Sequence, residues 1–303
     1  MSILQNQFDE ITIKAYELRT EGKYDEALKL IQPFADKGLA VAQHIIGTFH
    51  YFGESVPIDL VKASEWFHKA ADQECPESLS MLGHQYLYGV GIPRDEEKGI
   101  DLLIRASNKS NGYACYLLGR YYQAKKDRFK ASGFYVLGIN LESRDCMRGR
   151  AHMHMETKNY KEALDLYVQA LKLGCIESTF NAATMFDNGL GCEQNLELAF
   201  MLYQAAAKSN DLMAIHNLGT FYYNGKHVAQ DKKKAFEYYL QAAEMGAGIS
   251  QHCIGLMYYN GDLEQDLDVA LAWMKKSIEN GYSDSAKYIT EIEKVKEKRF
   301  VEH

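Results

Sequence analysis

Proline is scarce in this chain, four residues among 303, and no Ser/Gly-rich tract interrupts it, so no flexible linker between separate domains is expected. Long hydrophobic runs are missing as well. With no stretch of about 18 apolar residues, no membrane span is expected. A basic excess is also lacking: 34 Lys and Arg stand against 41 Asp and Glu, a net charge of −7. Neutralising nucleic-acid phosphates takes a basic face, so a nucleic-acid binder is not expected. The six cysteines (Cys75, Cys115, Cys146, Cys175, Cys192, Cys253) form no Cys-x-x-Cys pair and do not recur pairwise as a disulfide scaffold requires. They read as free thiols in a reducing compartment. The opening MSILQNQFDE has no charged segment followed by an apolar core, so Sec export is not expected and a cytoplasmic location is.

What is present is repetition. Small residues recur 36 apart at Gly47, Gly83 and Gly119, and again at Ala183, Gly219 and Gly255. A second glycine follows at Gly53, Gly89, Gly189, Gly225 and Gly261, where a helix C-terminus requires positive φ. Next comes an acidic residue (Asp59, Asp95, Asp231, Asp266), suited to accept the orphan N–H groups of a second helix. That helix carries a small residue (Ala63, Gly99, Ala199, Ala235, Ala270), a large one three further on (Trp66, Leu102, Leu202, Tyr238, Trp273) and a small one four beyond (Ala70, Ala106, Ala206, Ala242, Ser277). Spacings of three and four keep all of them on one helical face, where small residues admit close approach and the large one fills the space between repeats.

Leu82-Gly83-His84-Gln85-Tyr86 with Gly89-Val90-Gly91, and Leu218-Gly219-Thr220-Phe221-Tyr222 with Lys234-Ala235, resemble the Sel1-like repeat, a relative of the tetratricopeptide repeat. The resemblance implies an all-α, right-handed α/α superhelix (solenoid) of about eight antiparallel helix pairs in one array. Residues 8–39 look like a plain tetratricopeptide unit, 40–111 like two Sel1-like units, 112–175 like two degenerate tetratricopeptide-like units and 176–281 like three Sel1-like units. The degenerate stretch offers Ala124-Lys125-Lys126-Asp127 in place of the turn glycine, and a change of curvature without a domain break is expected there. Residues 282–303, with mixed charges, read as a C-terminal capping helix that covers the last apolar face.

In this superfamily the first helices line a concave face that usually holds partners. Positions three before, one after and four after the central small residue share a stripe. They give His44-Thr48-Tyr51, His216-Thr220-Tyr223 and His252-Leu256-Tyr259, with Tyr116-Arg120-Gln123, Arg148-His152-Met155 and Phe180-Thr184-Asp187 in other units. The candidate partner-binding residues are therefore His44, Thr48, Tyr51, His84, Tyr88, Arg120, Thr184, Asn188, His216, Thr220, Tyr223, Asn224, His252, Tyr259 and Asn260. Tyr offers large contact area with little entropy to lose, and Asn amides grip an extended backbone. The competing reading is that the tyrosines belong to packing between repeats.

Catalytic and metal patterns are not met. One His per unit and the split pair His152-x-His154 do not converge on a zinc-sized point, and no His-Glu-x-x-His occurs. Ser-x-x-Lys and Gly-x-Ser-x-Gly are missing. Gly89-Val90-Gly91 and Gly189-Leu190-Gly191 follow helices, unlike a phosphate loop, which follows a strand. The expectation is a non-enzymatic, cofactor-free, monomeric scaffold or adaptor binding another protein or peptide. The alternatives are an inhibitor or immunity-type protein neutralising one toxin, a Sec-independent effector binding a host protein, and, in a different class, a hydrolase.

Overall fold

The structure, a computed structural model, describes residues 3–301; residues 302 and 303 of the expected capping segment lie outside the described residues. The described chain is helical throughout, with 17 helices and no strand. By contact it groups into two compact halves, residues 1–150 and 151–303.

In the first half the helices are α1 (Ile3–Thr20), α2 (Tyr24–Asp36), α3 (Ala40–Phe52), α4 (Leu60–Ala71), α5 (Pro76–Tyr88), α6 (Glu96–Asn108), α7 (Gly112–Ala124) and α8 (Arg128–Asn140). The division falls inside α9 (Arg144–Glu156), within the stretch where the sequence predicts altered curvature. The second half continues with α10 (Tyr160–Lys172), α11 (Ile176–Asn188), α12 (Leu196–Ala207), α13 (Leu212–Asn224), α14 (Lys232–Glu244), α15 (Gly248–Asn260), α16 (Leu267–Glu279) and α17 (Ser285–Val301). Consecutive helices pair as first (A) and second (B) members of tandem repeats, eight pairs and a final helix.

Local chemistry sets these boundaries. Gly53, Gly89, Gly189, Gly225 and Gly261 end their A helices with φ of 74, 71, 65, 66 and 72°, a left-handed turn that a side chain disfavours. The carboxylates of Asp59, Asp95 and Asp231 each accept the backbone N–H of the residue three further on, at 2.9, 3.0 and 2.9 Å, and Asp266 accepts from Val269 at 3.0 Å. Asn195 does the same for Leu198 at 2.9 Å. Where the turn glycine is missing, Lys126 itself takes φ 62° and Asp127 caps α8. The second glycine of Gly89-Val90-Gly91 has a packing reason. A Cβ there would lie 2.4 Å from Leu60 Cβ, so the loop can lie against the start of α4 only as glycine.

Packing follows the small–large pattern with one addition. Trp66, Leu202, Tyr238 and Trp273 pack, partly buried, against clusters centred on the preceding repeat, as the spacing predicts. Directly beneath the small A-helix residue, however, sits the residue one further along helix B. A Cβ on Gly47 would lie 2.5 Å from Phe67, on Gly83 2.6 Å from Leu103, on Gly119 2.4 Å from Tyr135 and on Gly219 2.7 Å from Tyr239. These are among the most deeply buried side chains of the chain. At its end, α17 places Tyr288, Ile289, Ile292 and Val295 over Leu267, Ala270 and Met274, closing the last repeat.

Candidate partner-binding face

The predicted stripe divides by depth. His44, His216 and His252 are buried, not presented to solvent. Their Nδ1 atoms lie 3.0, 2.9 and 2.8 Å from the hydroxyls of Ser78, Ser250 and Ser285, each at the start of the next A helix. Burial pushes His44 and His216 down to about 4 and lowers His252, so all three are neutral rings tying repeat to repeat. The sequence places these histidines on the partner face; three residues before the small residue, however, the side chain points to the following repeat. Thr48 is likewise buried, its hydroxyl donating to the Ile45 carbonyl at 2.7 Å. Thr184 and Thr220 are half-buried and meet the hydroxyls of Tyr203 and Tyr239 at 3.2 and 3.1 Å.

In the second half the tyrosines are engaged too. Tyr223 donates to Asp262 Oδ2 at 2.7 Å, and Tyr259 to Glu291 Oε1 at 3.0 Å, each reaching the next repeat. Asp262 is also paired with Lys232, and Asp187 with Lys226 at 3.3 Å. This is the packing role that competed with the binding reading of these residues. Asn188, Asn224 and Asn260 are exposed, with the Asn188 amide turned back to the Thr184 carbonyl at 2.8 Å.

The first half presents a different surface. Tyr88 and Tyr113 are 47% and 39% exposed, beside the half-buried Tyr51, His84 and Tyr116. The rings of His84 and Tyr88 are 5.0 Å apart, and those of Tyr113 and Tyr116 6.4 Å. Guanidinium groups of Arg120 and Arg148 stand 5.7 and 5.6 Å from the Tyr116 ring. Arg148 also donates to the Tyr116 hydroxyl at 3.2 Å and pairs with Asp145 at 3.0 Å. Arg120 is exposed and has no carboxylate partner among the described residues. Burial raises Tyr113 to about 12, helped by the Tyr51, Tyr116 and Tyr88 hydroxyls and Asp145, so it remains a donor. Burial, then Arg120, lowers His84, whose Nδ1 is buried without a hydrogen-bond partner. The stripe missed Tyr113, which stands six before Gly119; its signal is that it shares α7 with Tyr116 one turn away.

Among the described residues, no group of three or more His, Cys, Asp or Glu could hold a metal ion, and no helix is long and apolar enough to cross a membrane.

The repeat pattern of the Sel1 family matches residues 40–75, 76–111, 112–131, 148–175, 176–211, 212–246 and 249–282. The chain belongs to the Sel1 repeat family. Among curated relatives, a 74-residue stretch is 39% identical to the ERAD-associated E3 ubiquitin-protein ligase component HRD3A of Arabidopsis thaliana. That stretch is 24% of this chain and only 11% of the relative's length. In structure the chain is similar to c5321, a protective antigen of uropathogenic Escherichia coli with an SLR fold, at TM-score 0.70 and 22% identity, over 88% of this chain and 59% of that one. It is similar also to a Sel1 repeat protein from Oxalobacter formigenes, at TM-score 0.65 and 25% identity, over 89% and 82% of the two chains. These likenesses establish the α-solenoid of tandem helix pairs.

Proposed function

We propose that this Sel1 repeat protein is a non-enzymatic, cytoplasmic adaptor that holds a polypeptide partner on the exposed face of its A helices. One observation carries the reading: Tyr88, Tyr113 and Arg120 form an aromatic and cationic surface that packing between repeats leaves partly open to solvent. Tyr and Arg are the residue types that dominate the energy of protein interfaces, because they bring large area with few rotamers or a planar fork of donors. The relative named as a ligase component is part of an assembly, in keeping with an adaptor.

The test is affinity capture from the native cell with the unaltered chain and with a Tyr88→Ala, Tyr113→Ala double variant. Recovery of the partner should fall while the melting temperature stays within a few degrees. An unchanged partner set on a folded double variant contradicts the proposal.

A further inference from the structure

Resting on that reading, we infer that the A-helix face of the first half receives an extended acidic peptide segment of the partner, with Arg120 taking a carboxylate between Tyr88 and Tyr113.

The chain as a whole carries −7, yet this patch is lined by guanidinium groups. Of the two arginines stacked on Tyr116, Arg148 pairs with the Asp145 carboxylate. Arg120 stacks on the ring from an exposed position and has no such partner among the described residues. Its ring-stacked guanidinium is oriented in advance, so a bidentate carboxylate contact costs less side-chain entropy than one from a free arginine. The neighbouring groups are donors of the same kind. The Tyr113 hydroxyl stays protonated, and the charged group beside the His84 imidazole is Arg120 itself. An acidic side chain or a chain-terminal carboxylate fits this set; of the carboxylates on this face, Asp145 is occupied by Arg148, and Glu77, at the repeat position of Tyr113, lies near His44 and Tyr16.

The same face supplies an apolar subsite. Phe52, 56% exposed, ends α3 at the position that Tyr88 holds on α5, 36 residues on, and its ring lies 5.0 Å from that of Tyr51. Packed helices stand roughly 10 Å apart, and an extended chain advances about 3.3 Å per residue. Phe52 on α3 and Arg120 on α7 are two A-helix steps apart, so an apolar side chain on Phe52 and a carboxylate near Arg120 are separated by about six residues. The equivalent positions of the second half carry Asn188, Asn224 and Asn260, and its lysines Lys226 and Lys232 are committed to Asp187 and Asp262. The preference belongs to the first half, not to the repeat as such.

The probe is a random 12-residue phage-displayed peptide library panned on the full chain, with enriched sequences resynthesised, fluorescein-labelled and titrated. The expected sequences are acidic, with an apolar residue about six positions from an Asp or Glu. Their affinity should fall about tenfold or more in Arg120→Glu, fall with rising salt, and be unchanged in the Asn224→Ala, Asn260→Ala double variant. Arg120 is exposed, so the variant's unaltered melt confirms its fold; Arg120→Gln should lose affinity less than Arg120→Glu. Enriched peptides that are neutral or basic, or that bind Arg120→Glu as well as the unaltered chain, overturn the inference while leaving polypeptide binding standing. Enrichment of no peptide at all contradicts both.

Discussion

His216 Nδ1 lies 2.9 Å from Ser250 Oγ, 34 residues on, and the same bond joins His44 to Ser78 and, at a spacing of 33, His252 to Ser285. Where the A helix has Ser80 or Phe180 instead of His, the residue 34 further on is Ala114 or Ala214, so the serine accompanies the histidine and is replaced by alanine at these two places. A buried hydroxyl left alone costs more than a pair of apolar neighbours, which favours the pairing; Ser178, at the same place on α11, is buried without a hydrogen-bond partner.

This tie makes stability depend on pH. The folded-state value of His44 and His216 is depressed to about 4 from an ordinary 6.5. The stabilisation is therefore complete above pH 6.5 and is lost as pH falls toward 4, because the unfolded chain takes the proton first. Each site accounts for a loss of roughly 3 kcal/mol over that window. Urea unfolding at pH 7 and pH 4.5 checks it: His216→Asn should show a shallower pH slope than the unaltered chain. Equal slopes would count against a buried neutral His216.

Beneath Gly219, Tyr239 is buried and its hydroxyl meets Thr220 at 3.1 Å. Tyr239→Ala should cost about 3–5 kcal/mol. Tyr239→Phe should cost about 1 kcal/mol, the net value of one hydrogen bond. Gly219→Ala, placing a Cβ 2.7 Å from the ring, should destabilise by about 1–3 kcal/mol. Denaturant midpoints at fixed slope give all three, and a neutral Gly219→Ala contradicts the close packing.

How much of this was legible in the sequence follows from range. The Gly and Asp that end and start helices act within a few residues, so Gly225 and Asp231 could be read directly as caps. The second glycine of Gly89-Val90-Gly91 could be dismissed as a phosphate loop, but its contact with Leu60, some 31 residues back, needed the tertiary structure. The candidate site was less legible. A helical stripe places His216 and Tyr223 on one face without saying that the next repeat covers it. The available clue was the recurrence of Ser one repeat after each such His. Tyr113 escaped because it lies beyond the stripe's first position.

Tyr223 and Tyr259 should prove structural. Tyr223→Phe removes the bond to the Asp262 carboxylate and should cost about 1.5–3 kcal/mol in stability. Partner affinity, measured by titration with the captured partner, should not change. A tenfold loss of affinity at unchanged stability would return Tyr223 to the binding face.

Whether the partner lies on the A-helix face of the first half is tested by site-specific photo-crosslinking in the native cell, with a benzoylphenylalanine side chain placed in turn at Tyr88, at Asn224 and at Phe129, which is 90% exposed on α8. A crosslinked partner is expected from position 88 and none from 129. A partner captured from 129 or 224 but not from 88 would contradict that placement.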